Sequence, residues 1–289
     1  MTHAARNSHR GIWTGASGHR LAWEAFDGSA PLSVVFVHGG GQRGRTWRRA
    51  ARLLQEAGYP VLIYDQRGHG DSDWVPDGDY RLDSFQADLV CVLAHWQRPA
   101  VLVGASLGGL VSMLSASGRP ETVRGLVMID TAPQLNPAEI DRLVRFLAIG
   151  AGEGFDSPAE AAEHVREYFP ARPVTPEAIE ASLAQNAAGR WFWRWDVRVV
   201  VGELNSVALP HEERLHARAS QVAVPFLLIR SGNSTLVSDA AVARLRALAP
   251  QLEVEWLHGA DHVVGAEEAA EVVRLIRPFI ERCAGPDRE

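Results

Sequence analysis

The stretch at residues 101–109 constrains the fold most. Val101-Leu102-Val103 is apolar, and Gly104-Ala105-Ser106-Leu107-Gly108-Gly109 follows at once. A short apolar run of this kind reads as a strand buried on both faces. Small residues after it let the chain turn tightly into a helix predicted over 107–117. A serine at the apex of such a turn is held in strained backbone geometry. The helix behind it offers a backbone N–H, that of Leu107, to developing negative charge. The plainer reading is a glycine-rich turn with a capping serine. The flanking sequence favours the first, because strands and helices alternate on both sides.

Two short apolar stretches around Gly15-Ala16-Ser17-Gly18 predict a hairpin over 10–26. Strands are expected at 32–37, 61–64, 101–103, 126–129, 226–229 and 252–257, and helices at 44–57, 82–96, 107–117, 238–248 and 266–282. This rhythm, with its short connections, predicts an α/β fold with a mostly parallel, doubly wound sheet. It stops near Pro133 and returns at Phe226. Residues 134–220 carry helical patterns, breaks at Pro158, Pro170 to Pro176 and Pro210, and the run Trp191-Phe192-Trp193-Arg194-Trp195. They hold no convincing sheet strand. The stretch is too long for a loop and too aromatic for a linker. It is expected to form a helical lid over the carboxyl ends of the strands, where open α/β sheets bind ligands. The division is then a core of residues 1–133 and 221–289 and a lid of residues 134–220.

Composition narrows the function classes. Hydrophobic residues make up 46 % and charged residues 22 % of the 289 positions, as in a globular enzyme. The net charge is −6, with acids and bases interspersed, so no nucleic-acid partner is expected. All basic residues in the Lys+Arg count are arginine. Residues 1–10 lack the apolar core of a secretory signal, and no uncharged apolar run approaches the roughly 18 residues that span a membrane. A cytoplasmic protein without membrane association is expected. Cys91 and Cys283 are too few and too distant for a disulfide framework. The histidines are scattered, so neither a metal nor a cofactor is expected.

Two further motifs carry chemistry. His38-Gly39-Gly40-Gly41 follows the strand at 32–37, and glycines let backbone approach a ligand closely. Gly259-Ala260-Asp261-His262 follows the last strand. Of eleven histidines, His262 alone stands at that place. Together with Asp65-Gln66-Arg67-Gly68-His69-Gly70-Asp71-Ser72 and Asp130-Thr131-Ala132-Pro133, these motifs resemble the α/β-hydrolase superfamily, in its lid-bearing esterase, lactonase and cofactor-free haloperoxidase-like branch. The resemblance covers about residues 10–133 and 222–282. It implies Ser106 as nucleophile, His262 as base, and an oxyanion hole from the N–H groups of Gly40 and Leu107. It gives His38, Asp65 and Arg67 architectural work, the last two by satisfying backbone groups of neighbouring loops. Asp261 is given a structural role.

The acid departs from the pattern. Relatives often read Gly-x-x-Ser-Asp after the strand that follows the lid. Here Gly232-Asn233-Ser234-Thr235 puts Thr235 at that position. Some α/β-hydrolases carry the acid instead at the strand end before the lid, where Asp130 stands. Asp130 is therefore the candidate, although it could serve only to fix the lid entrance. Asp239 is a second candidate and is read as a cap of the helix 240–248.

The expected activity is hydrolysis of a carboxylic ester or lactone of a small, largely apolar molecule through an acyl-enzyme. Trp191, Trp193 and Trp195 are candidate substrate-binding residues, with lid packing as the alternative. Arg194 and Arg198 are read as surface residues. Ser106 argues against epoxide hydrolase or haloalkane dehalogenase chemistry, which needs an aspartate there. A carbon–carbon bond hydrolase would use the same serine but the acid position lost here. A ligand-binding protein with very slow turnover is the reading from another class.

Overall fold

A computed structural model describes residues 7–118, 121–170, 174–199 and 212–285. The hairpin forms from β1 (Ser8–Thr14) and β2 (Arg20–Phe26). Then come β3 (Ser33–Val37), a 3₁₀ turn (Gly44–Trp47), α1 (Arg48–Glu56), β4 (Val61–Tyr64) and α2 (Leu82–Trp96). β5 (Ala100–Ala105), α3 (Leu107–Ala116) and β6 (Val123–Ile129) complete the first half. The intervening segment holds α4 (Pro137–Ala148), α5 (Pro158–Tyr168), α6 (Pro176–Glu180), β7 (Leu183–Gln185), β8 (Trp191–Trp193), α7 (Val197–Val199) and α8 (Glu212–Ala219). The chain ends in β9 (Phe226–Ser231), α9 (Asp239–Leu248), β10 (Leu252–Leu257) and α10 (Ala269–Cys283).

One sheet of eight strands has the order β1-β2-β4-β3-β5-β6-β9-β10. β1 and β2 pair antiparallel, as do β2 and β4; every other pair is parallel. The register sets Val35 beside Leu62 and Leu102, and Val103 beside Val127. Alternate residues then feed opposite faces. Val35, Val37 and Leu102 join one apolar core with Leu89 of α2, Leu110 of α3, Leu215 of α8 and Leu245 of α9. Val34, Phe36 and Val103 join the other with Leu54 of α1 and Ile276 of α10. Both faces of the sheet are thus covered by helices. Each fully buried Val, Leu or Phe contributes about 1.5–3 kcal/mol to this sandwich.

The segment between β6 and β9 has its own apolar cluster, which joins Leu143, Phe146 and Leu147 of α4 to Val165 of α5, Phe155, Phe169 and Trp193. It also contains a small antiparallel pair, β7 with β8, where no strand was expected. The reason is local. Asn186 and Gly189 make the turn, with Asn186 N–H bonded to Arg190 O (2.9 Å) and Gly189 at φ 82°. The aromatic run beyond it suits an extended chain, where large flat side chains lie against neighbours. Pro210 lies outside the described residues. Two boundaries also differ from expectation. The helix expected from 44 opens as a 3₁₀ turn, and Ser238, not Asp239, caps α9 by accepting from Ala241 N–H (3.1 Å). Neither Cys91 nor Cys283 is in a disulfide.

Candidate active site

Ser106 sits where β5 turns into α3, at φ 50° and ψ −122°, a backbone region that side chains rarely enter. The turn is possible because of its glycines. A methyl group on Gly104 would stand 2.3 Å from Gly108 O, and one on Gly108 would stand 2.1 Å from Val37 O. The Ser106 N–H is tied to Ile129 O of the next strand (3.1 Å), so the serine is fixed from both sides.

His262 lies in the loop after β10. Its Nε2 is 3.1 Å from Ser106 Oγ and its Nδ1 is 2.8 Å from Asp130 Oδ2. A carboxylate only accepts, so Nδ1 carries the proton and Nε2 is left to accept from the serine hydroxyl. Asp130 ends β6 in the left-handed region, at φ 48°, and is 1 % exposed. Its second oxygen accepts from Ser231 N–H at the end of β9 (3.2 Å). The carboxylate is therefore held by one strand end and aimed at the histidine. Thr235 does not reach the imidazole; its hydroxyl donates to Glu139 of α4 (2.9 Å). Asp239 is exposed on α9 and pairs with Arg230 (2.5 Å).

The glycine loop is built so that one N–H remains. Gly39 N–H donates to Gln42 Oε1 (2.9 Å), and Gly41 N–H to His69 Nε2 (3.1 Å). Among the described residues, the N–H groups of Gly40 and Leu107 have no protein partner. Gln42, which sequence reasoning passed over, also donates from Nε2 to Val264 O (3.0 Å), tying this loop to the one that carries His262. Its only sequence signal is a polar side chain just after three glycines.

Two buried histidines hold the same loops. His38 donates from Nδ1 to Gly39 O (2.8 Å) and accepts at Nε2 from Gln66 N–H (2.9 Å). His69 donates from Nδ1 to Arg67 O (2.9 Å). Burial pushes the pKa of His38 down to about 4, the Gly39 contact opposing it, and that of His69 down to about 3, with His38 nearby adding to the fall. Both are neutral at pH 7 and serve as fixed donors and acceptors. Asp65 satisfies the N–H groups of Gly44 (2.6 Å) and Asp71 (2.8 Å). Arg67 meets the expectation in part. It gives one N–H to Asp79 O (2.9 Å), but its main partner is the buried Asp88, at 2.7 and 2.9 Å.

A cavity of about 330 Å³ opens on Ser106 and His262. Gly39, Gly40, Gly41, Leu143, Leu147, Val165 and Phe169 line it. Trp193 and Trp195 also line it, their rings stacked 4.6 Å apart. Trp191 does not. Its side chain packs, partly buried, against the segment's own apolar cluster, and its backbone pairs with Phe155 (2.7 and 2.8 Å). Arg198 is bound to Asp196 (2.6 Å) and to the carbonyl of Val75 (3.0 Å). Away from the cavity, Glu212, Glu213 and His216 bring possible ligand atoms within 4.8 Å of one another. Arg244 already donates to both carboxylates (3.2 and 2.8 Å). No described helix is long and apolar enough to cross a membrane.

Comparison with known proteins agrees with this architecture. The description of the alpha/beta hydrolase fold family matches residues 33–269. The chain is 27 % identical to the sn-1-specific diacylglycerol lipase ABHD11 of Mus musculus, over 90 % of this chain and 85 % of that one. It is 29 % identical to esterase Rv0045c of Mycobacterium tuberculosis, over 88 % and 84 % respectively. The crystal structure of an E-2-(acetamidomethylene)succinate hydrolase superposes with a TM-score of 0.79 at 26 % identity, covering 96 % of this chain and 99 % of that one. The chain belongs to the α/β-hydrolase fold family.

Proposed function

We propose that this protein is a serine hydrolase that cleaves a carboxylic ester or lactone of a small, largely apolar molecule. The observation that carries the reading is the continuous path Ser106 Oγ–His262 Nε2 (3.1 Å) and His262 Nδ1–Asp130 Oδ2 (2.8 Å) at the floor of the cavity. Relatives named esterase and lipase support ester bonds as the target.

The chemistry is two acyl transfers. The Ser106 oxygen adds to the carbonyl carbon while its proton passes to His262 Nε2. The N–H groups of Gly40 and Leu107 hold the oxyanion. His262 then returns the proton to the departing alcohol, and the acyl-enzyme remains. Water, deprotonated by His262, releases the acid. Asp130 keeps the imidazole in the right tautomer and stabilises the imidazolium. The described elements from α4 to β8 act as a lid, with Trp193 and Trp195 contributing to the apolar wall that excludes water. A ligand-binding role without turnover rested on the missing acid at Thr235. A buried carboxylate on His262 supports the enzyme instead.

The test is hydrolysis of p-nitrophenyl butyrate by the wild type and by Ser106→Ala. A fall in kcat of about 10³-fold or more is expected. A variant retaining more than a tenth of the activity would rule out Ser106 as nucleophile.

A further inference from the structure

The cavity wall has one polar region that the proposed chemistry does not use. Arg43 lies three residues beyond Gly40, and Arg194 lies between the two stacked tryptophans in sequence; both line the cavity. The Arg43 side chain is only 16 % exposed. Its Nη1 donates to Ala181 O (2.6 Å), and its Nη2 stands 3.7 Å from Asp71, too far for a hydrogen bond. Its Nε is buried and has no partner. Arg194 spends Nε on Leu183 O (2.8 Å), and its Nη1 leans on the same Asp71 (3.3 Å). Both guanidinium groups lean on Asp71, which is 62 % exposed, and the buried Asp65, whose oxygens accept from the Gly44 and Asp71 N–H groups, attracts Arg43 without accepting a hydrogen bond from it. Glu267, the acid among the lining residues, is exposed.

A buried guanidinium with spare N–H groups costs stability unless something accepts from them. A carboxylate fits its planar fork better than a neutral oxygen does. We infer that the substrate carries a carboxylate besides its ester or lactone group, and that Arg43, with Arg194 beside it, binds that carboxylate in the Ser106 cavity. The rest of the wall, including Leu143, Leu147, Phe169 and Ile179, suits the hydrocarbon that joins the two groups. This rests on the serine hydrolase reading and narrows its substrate to anionic esters, such as half-esters of dicarboxylic acids.

The experiment compares the monomethyl and dimethyl esters of the linear dicarboxylic acids from succinate to suberate. The two members of each pair present the same scissile bond with and without a free carboxylate. At pH 7 the wild type should take at least one half-ester with a kcat/KM roughly tenfold to a hundredfold above that of its diester, chiefly through KM. Arg43→Gln should remove that preference and leave diester hydrolysis within about threefold of wild type. Arg43→Lys should keep part of it, and Arg194→Gln should weaken it. Equal rates on both esters for every chain length, or a preference for diesters, would overturn the inference. So would an Arg43→Gln variant that keeps the preference or loses both substrates equally, since the arginine would then only hold Ala181. Failure of the serine hydrolase reading itself looks different: neither ester nor p-nitrophenyl butyrate is cleaved in a Ser106-dependent way.

Discussion

At the scale of single residues, the informative departure is the acid. Thr235 stands at the acid position that the family resemblance implies, and its hydroxyl is engaged by Glu139. Asp130 reaches His262 from the neighbouring strand end, in a strained conformation paid for by its bonds to Ser231 and Ile229. Two adjacent strand ends can serve because both lie beside the same loop, so the proton path is kept while the acid changes strand. Asp130→Asn keeps the shape but no longer holds the imidazole in one tautomer. We expect kcat on p-nitrophenyl butyrate to fall by about 10⁴ with little change in KM. A loss under tenfold would remove Asp130 from the proton path.

At the scale of elements, the loops after β3 and β4 are held by neutral histidines, and this predicts a pH dependence. In the unfolded chain His38 and His69 titrate near pH 6.5, while in the fold burial keeps them neutral down to about pH 4 and about pH 3. Above pH 6.5 neither group affects the balance. As the pH falls below 6.5 the unfolded state takes up protons that the folded state refuses, so stability is lost with acidity. At pH 5 the loss is up to about 2 kcal/mol for each histidine. Urea unfolding of the wild type and of His69→Asn at pH 7 and pH 5 checks this. The variant should show a smaller loss between the two pH values, and an equal loss would assign it to other groups.

The elements themselves were largely legible. Alternation of β-branched runs with amphipathic helices shows both the sheet and its interruption, because each periodicity records one face meeting the core. Ser106, His262 and Asp130 could be singled out as candidates because each lies at or just after a strand end that the chain order marks, and the structure brings the three within hydrogen-bond reach. The β7–β8 pair was not legible, since three-residue strands leave almost no period to read. Gln42 and Arg43 were missed for a different reason. Their work depends on Val264 and Ala181, more than a hundred residues away, and a sequence does not show such contacts. Trp191 was grouped with Trp193 and Trp195 because the run reads as one aromatic stretch; that the cavity ends short of Trp191 follows from packing in the segment's own cluster, which a sequence does not show.

At the scale of the whole molecule, one buried charge cluster ties distant parts together. Asp88 of α2 accepts from Arg67 after β4, from His19 in the first hairpin (3.0 Å) and from Ala16 N–H (2.9 Å). Burial alone would raise its pKa, but the bonds from His19 and Arg67 hold it below the usual carboxylate range. Arg67→Met would leave a buried carboxylate short of its main partner. We expect a loss of about 3–5 kcal/mol in urea unfolding. A loss under about 1 kcal/mol would mean that His19 and water suffice.

The central claim is that Ser106 is an activated nucleophile, and it can be tested without knowing the substrate. The protein is incubated with a fluorophosphonate and its intact mass is recorded, with Ser106→Ala treated in parallel. One adduct per chain should form rapidly in the wild type and be absent from the variant. A folded wild type that gains no mass, or a variant that labels equally, would contradict it.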